Sequence, residues 1–201
     1  MKLTFIHLIY FTCALAVSSG LSCTSTESKY PRVEITTQYG EIEIELYNDK
    51  APKSVTAFLA NVDAGHYKDG SFYRVLNMDN QPSNAPKAEL IQGGIWKKRN
   101  KPANIPRIPH ESTQQTGILH TNGVISYARE EPGTAGSEFF ICVGDQPGFD
   151  YGGENNPDGQ GYAAFGKVIS GMNIVRRIYT QPENEQYFNP PVAIYNITRL
   201  K

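Results

Sequence analysis

The chain of 201 residues is 39% hydrophobic and 19% charged, and its 19 basic and 20 acidic side chains leave a formal net charge of −1. One domain of ordinary size fits this length, and the composition excludes a collagen-like, coiled-coil or disordered chain. No large field of either sign marks nucleic acid or a general anionic surface as partner, so a specific small site is expected to carry the function. The first residues read separately. Leu3 to Val17 is an apolar run of 15 residues after Lys2, with His7 its only ionisable group, and Ser18, Ser19 and Gly20 follow. It is shorter than the roughly 18 residues of a spanning helix and fits a secretory signal peptide over residues 1–22.

Gly20-Leu21-Ser22-Cys23 is similar to the lipobox at which bacterial lipoproteins are cut and acylated. Lipidation of Cys23 implies an exported protein anchored in the bacterial periplasm or cell envelope; ordinary cleavage just upstream implies a secreted one. Residues 23–31 are a polar tether, and residues 32–201 form the domain. With Cys13 lost and Cys23 acylated, Cys142 is the one thiol left and reads as a buried core residue, without a disulfide framework.

Val33 and Ile35 alternate with polar residues, Gln38-Tyr39-Gly40 can turn, and Ile42, Ile44 and Leu46 resume the alternation, which predicts a β-hairpin with one apolar face. Pro52 suits the first turn of a helix whose Val55, Phe58, Leu59 and Val62 recur at helical spacing, with Gly65 placed to end it. Further strands are expected over Phe72 to Leu76, Leu90 to Gln92, Val124 to Ala128, Glu138 to Val143, Ala163 to Val168 and Val192 to Arg199. A second helix is expected over Met172 to Ile178. Eight short strands, two helices and no βαβ alternation predict a mainly β fold, a closed or sandwiched antiparallel sheet.

Five blocks resemble, in order, the signature of the cyclophilin-type peptidyl-prolyl isomerases. They are Phe72-Tyr73-Arg74-Val75, Ile91-Gln92-Gly93-Gly94, Gly123 to Ala128, Gly136 to Ile141, and Phe165-Gly166-Lys167-Val168 with Gly171 to Val175. The resemblance spans Val33 to Leu200 and implies an eight-stranded antiparallel β-barrel capped by two α-helices. It also implies that the chain isomerises X-Pro bonds in proline-containing polypeptides and assists their folding.

The chemistry suits these residue types. Partial double-bond character gives the X-Pro amide a barrier of about 18–20 kcal/mol, and uncatalysed exchange takes tens to hundreds of seconds. The twisted transition state has lost its resonance, so its pyramidal nitrogen accepts a hydrogen bond that the planar amide cannot. A donor aimed there binds the transition state differentially. A guanidinium is always charged and holds its donors rigidly, and the resemblance assigns that role to Arg74. It assigns Gln92 to the substrate backbone and to the orientation of Arg74. Phe140, Leu90, Phe149 and Tyr162 would line the proline pocket, with Ala128, Arg129 and Glu138 also in contact with substrate.

Several positions depart from the family pattern. A polar insertion, Asn77 to Lys87, lies between the arginine and glutamine blocks and reads as a loop; Gly152 to Gly161 is also long. Glu89, Glu138 and Arg129 stand where the family has an aromatic residue, a glutamine and an asparagine. Tyr162 stands where it often has a histidine. Gly148 falls where cyclosporin-sensitive members have a tryptophan, so tight binding of that drug is not expected. The charged rim suggests that Glu138 pairs with Arg74 or Arg129. His66, His110 and His120 lack metal-ligand spacing and read as solvated or core-bonded, and no cofactor or metal is implied. Ser137 lacks the partners of a nucleophile. A monomer that binds no nucleic acid, and meets membrane only through the lipid anchor, is expected. A non-catalytic module that holds proline segments is the alternative from another class.

Overall fold

In β1 (Arg32–Thr37) and β2 (Gly40–Leu46) every second side chain turns inward, and the antiparallel register sets Val33 opposite Ile44 and Ile35 opposite Ile42. These residues are fully buried, as the alternation requires of a sheet with one apolar face. The computed structural model describes residues 28–200 apart from residue 103. The expected signal peptide over residues 1–22 and Cys23 lie outside the described residues.

The helix α1 (Pro52–Asp63) begins at its proline and buries Val55, Phe58, Leu59 and Val62. Ala51 offers no capping side chain, and the cap comes from far along the chain. The Glu111 carboxylate accepts hydrogen bonds from Ser54 N (2.7 Å), Lys53 N (3.2 Å) and Ser54 Oγ (2.7 Å), meeting the unsatisfied N–H groups and the positive end of the helix dipole. Phe58 packs on Tyr67, Phe139 and Phe165 at centroid distances of 5.1–5.8 Å. Burying a ring of that size contributes about 1.5–3 kcal/mol.

The remaining elements are β3 (Gly70–Leu76), β4 (Leu90–Gly94), the short α2 (Thr113–Thr116), β5 (Val124–Tyr127), β6 (Phe139–Cys142), β7 (Ala163–Ser170), α3 (Met172–Tyr179), β8 (Glu183–Asn184) and β9 (Tyr187–Leu200). Pairing runs β1-β2-β7-β5-β6-β4-β3-β9, and β9 returns to β1, so eight antiparallel strands close into a barrel and leave no free edge in it. The expected mainly β, eight-stranded barrel is present, with two additions. One is α2, a single turn. The other is β8, which folds back on the start of β9 through a two-residue turn.

The last strand also starts earlier than the expected Val192. Pro190 and Pro191 lie in a bulge of the β3–β9 ladder. Phe72 pairs with Val192 and Arg74 with Tyr187, so the prolines fall where no ladder N–H is required. The Asn77 to Lys87 segment is a loop, as expected, and an ordered one. The Gln81 side chain accepts from Ala88 N (3.1 Å) and donates to Ala88 O (2.8 Å), while Asn80 Nδ2 donates to Val75 O.

Strand parity decides which residues leave the core. Val75, Ile91, Phe139 and Ile141 belong to the main core cluster, whereas Leu90, Phe140 and Cys142 form a second cluster with Ala88 and Phe149. Cys142 is therefore buried in this outer cluster, and burial pushes its thiol pKa up.

Candidate active site

Arg74 and Gln92 face each other across the β3–β4 ladder, directly paired in register. Arg74 Nη1 donates to Gln92 Oε1 (3.2 Å), and Gln92 Nε2 donates to the Tyr73 hydroxyl (2.8 Å). On its other side the guanidinium forks onto one acceptor, with Nε (3.2 Å) and Nη2 (2.7 Å) both donating to Gln186 Oε1. Its partners are amide oxygens. Among the described residues no carboxylate pairs with it, so its charge is not offset locally. Three of five N–H groups are engaged and two remain to point elsewhere.

The outer cluster supplies the wall beside this cation. Leu76, Leu90, Ala128, Phe140, Phe149 and Tyr162 join Arg74, Gln92 and Arg129 around a cavity of about 120 Å³. Phe140 and Phe149 lie 5.2 Å apart, and Tyr162 meets each edge-on at 5.4 and 5.2 Å. Edge-to-face packing holds such rings in place while their faces stay open to a small apolar group. Phe149 comes from a one-turn 3-10 helix, Pro147–Phe149, and Tyr162 from the residue before β7. Eight residues expected from sequence thus converge here: Arg74, Gln92, Phe140, Leu90, Phe149, Tyr162, Ala128 and Arg129.

A second, wider cavity of about 390 Å³ adjoins the first and shares Gln92, Ala128 and Arg129 with it. Glu138 lines this second space. It pairs with neither Arg74 nor Arg129, which corrects the expectation from sequence. Glu138 Oε1 accepts from Ile95 N and from Ser137 Oγ, both at 3.0 Å, and its carboxylate fills the space that Gly94 leaves by lacking a side chain. Burial raises its pKa, against the pull of the Tyr73 hydroxyl, the Ile95 N–H and Ser137. Arg129 turns instead to the long 152–161 segment. Its Nη1 and Nη2 grip Asp158 at 2.6 and 2.9 Å, which holds the Asp158 carboxyl below its usual pKa, and its cation lies 5.2 Å over the Tyr162 ring. Glu89 also leaves the rim, because Tyr179 donates its hydroxyl to Glu89 Oε1 at 2.6 Å. Of the three charged departures, Glu138 and Arg129 still line the cavities and Glu89 does not.

Two groups escaped the sequence reading. Gln186 lies in a turn outside every signature block. The other is a buried chain in which His120 bridges Asp150 Oδ1 (2.7 Å to Nδ1) and Ser126 Oγ (2.9 Å from Nε2), its ring stacked 5.9 Å from Phe140. Ser126 is 0% and His120 1% exposed, so this is a support beneath the aromatic wall and not an accessible nucleophile. His66 bonds Asn61, and His110 bonds the Gln160 carbonyl with its pKa lowered by burial. Among the described residues, no group of three or more His, Cys, Asp or Glu is placed to hold a metal ion.

Comparison with known proteins agrees with this geometry. The family model for the cyclophilin type peptidyl-prolyl cis-trans isomerase/CLD matches residues 32–199. The chain belongs to the cyclophilin family. Among curated cyclophilin relatives, a peptidyl-prolyl cis-trans isomerase of Acinetobacter baylyi is 35% identical over 167 residues, covering 83% of this chain and 81% of the relative. Peptidyl-prolyl cis-trans isomerase B of Escherichia coli is 32% identical over 143 residues, 71% and 80% of the two chains. A crystal structure of a Cryptosporidium parvum cyclophilin shares the fold with a TM-score of 0.66 at 23% identity, covering 86% of this chain and 98% of that one. This cyclophilin is accordingly a peptidyl-prolyl cis-trans isomerase.

Proposed function

We propose that this cyclophilin isomerises X-Pro bonds in exported proteins during their folding, with Arg74 stabilising the twisted amide. The observation that carries the reading is a guanidinium braced from both sides by amide oxygens at the lip of an aromatic cavity, with two donors unengaged. A pyrrolidine ring seated against Phe140, Phe149 and Tyr162 brings its nitrogen to that lip. Because the bracing exists before substrate arrives, little reorganisation opposes the transition state. The apolar wall binds planar and twisted prolines alike, so it sets KM; the guanidinium distinguishes them, so it sets kcat. Gln92, held by Tyr73, keeps one Nε2 hydrogen for a substrate carbonyl.

Isomerisation of a short X-Pro peptide, followed by NMR exchange, tests the assignment. Arg74→Ala is expected to lower kcat by about 10²–10³-fold, the range seen when one oriented electrostatic donor is removed, with a smaller change in KM. Full activity in Arg74→Ala would falsify the role. The apolar run over residues 3–17 and the Cys23 sequence support export and a lipid anchor. Mass spectrometry of the mature N-terminus tests that part: an acylated Cys23 is expected, and an unmodified terminus beyond it removes the anchor.

A further inference from the structure

The overall charge balance hides a local excess. Residues 90–110 hold Lys97, Lys98, Arg99, Lys101 and Arg107 and no Asp or Glu, so five of the chain's 19 basic side chains lie in one segment. This segment runs from the end of β4 beside the second cavity, which Arg107 lines. Among the described residues none of the five pairs with a carboxylate. A charge run of this kind is usually a solvated face, but here the three lysines are laid down on a surface. Lys97 Nζ sits 4.2 Å over the Trp96 ring and 5.6 Å over the Tyr187 ring, Lys101 Nζ donates to Trp96 O, and Lys98 Nζ donates to His66 O.

The rings beneath them form a platform. Trp96 is 45% and Tyr187 42% exposed, their centroids 5.8 Å apart, and Trp96 also rests on Tyr73 at 5.0 Å. Tyr73 is the residue whose hydroxyl holds Gln92, and Tyr187 is the register partner of Arg74, so the platform is continuous with the catalytic groove.

We propose that the Trp96–Tyr187 platform and its four lysine and arginine neighbours dock an acidic segment of the same polypeptide whose proline occupies the socket. The inference rests on the isomerase reading above and adds a substrate preference to it. Gln92 and Trp96 are four residues apart, and Trp96 lies in the turn after β4 that Lys98 N closes on Ile95 O, so the platform is at most about 13 Å along the chain from Gln92 and the acidic residues belong within about four positions of the proline. The rings give flat contact at low entropic cost, and Lys97, Lys98 and Lys101, already held by their contacts, lose less freedom on pairing than free side chains would. An aromatic platform with nearby cations also suits single-stranded nucleic acid. Contact with Gln92 and Arg74 favours the peptide that those residues bind.

The test compares proline peptides carrying three Glu, or three Gln, at those positions on either side of the proline. Kinetics on the full chain is paired with the fluorescence of Trp96, the one tryptophan in the sequence. At low ionic strength the Glu peptide on one side is expected to show a KM about tenfold lower than its Gln counterpart and to change Trp96 emission. Both effects are expected to fade in about 0.5 M salt, where the screening length is only a few ångströms. Both should also vanish when Lys97, Lys98, Arg99 and Lys101 are all changed to Gln, with the Gln-peptide rate unaltered. Equal KM values for Glu and Gln peptides, with the Gln peptide still isomerised, would overturn the docking surface and leave the isomerase intact. So would a preference that persists in the fourfold variant. Charge-dependent binding of oligo-dT or of phosphatidylglycerol vesicles without any peptide preference would assign the surface to that partner and overturn the proposal.

Discussion

Every polar group of Gln186 is engaged. Its Oε1 receives two bonds from Arg74, its Nε2 donates to Asn80 O (3.1 Å), its carbonyl accepts from Val75 N (2.8 Å), and its own N–H reaches Glu183 Oε2 (2.6 Å). The residue thus joins the catalytic cation to the 77–87 loop. Gln186→Leu keeps the bulk but leaves Nε and Nη2 of Arg74 without their acceptor, so the guanidinium can swing away from the cavity. About a tenfold fall in kcat with KM nearly constant is expected, measured on a neutral X-Pro peptide; a change confined to KM would count against positioning. The signature blocks made Arg74 and Gln92 legible in the sequence. Gln186 was not, because it is 112 residues from its partner and belongs to no block. The sequence left His120 as either solvated or core-bonded and without its role, since neither Asp150 nor Ser126 lies near it in a recognisable spacing.

At the scale of elements, apolar alternation, short apolar runs and helical spacing identified all eight barrel strands and both longer helices, because each buries at least one face. The hairpin that carries Gln186 gave no such signal. Its turn, Glu185-Gln186, has φ of 49° and 74°, a two-residue connection that normally selects Asn-Gly. Neither residue type favours a left-handed backbone, so local propensity was set aside to bring an amide to Arg74. Gln186 is tied to the site, but Glu185 is not. Replacing Glu185 with Asn, which tolerates this conformation better, is expected to raise stability by about 0.5–1 kcal/mol in urea titrations at unchanged activity. An unchanged or lowered midpoint would mean that the turn is already relaxed. The early start of β9 was not expected either: Tyr187 to Pro191 precede the expected Val192, and the bulge that admits Pro190 and Pro191 is visible only once β3 lies alongside.

For the whole molecule, near-neutral charge concealed where individual charges are placed. Asp63 and Asp158 have lowered pKa values, set first by hydrogen bonds from Arg199 and Arg129 respectively. Their stabilising contribution is present above the ordinary carboxylate range and is lost as pH falls through the lowered values; being at the surface, it is screened and small. Glu138 has the opposite sign. Its carboxylate is buried with Oε2 unpartnered, and desolvation raises its pKa above 4.5. A raised acid binds its proton more tightly in the folded state, so its contribution is full below 4.5 and is lost as pH rises through the folded value. Glu138→Gln keeps an oxygen for the Ile95 N–H and removes the buried charge. The variant is expected to be more stable than the parent by about 1–2 kcal/mol at pH 7, with the gap closing toward pH 4 in parallel urea titrations. Because Glu138 does not touch Arg74, kcat on a neutral peptide should hold. Identical pH–stability profiles for the two proteins would show that the carboxylate is satisfied in its charged form. A lost kcat would instead return Glu138 to the pairing with the catalytic cation that its place in the sequence first suggested.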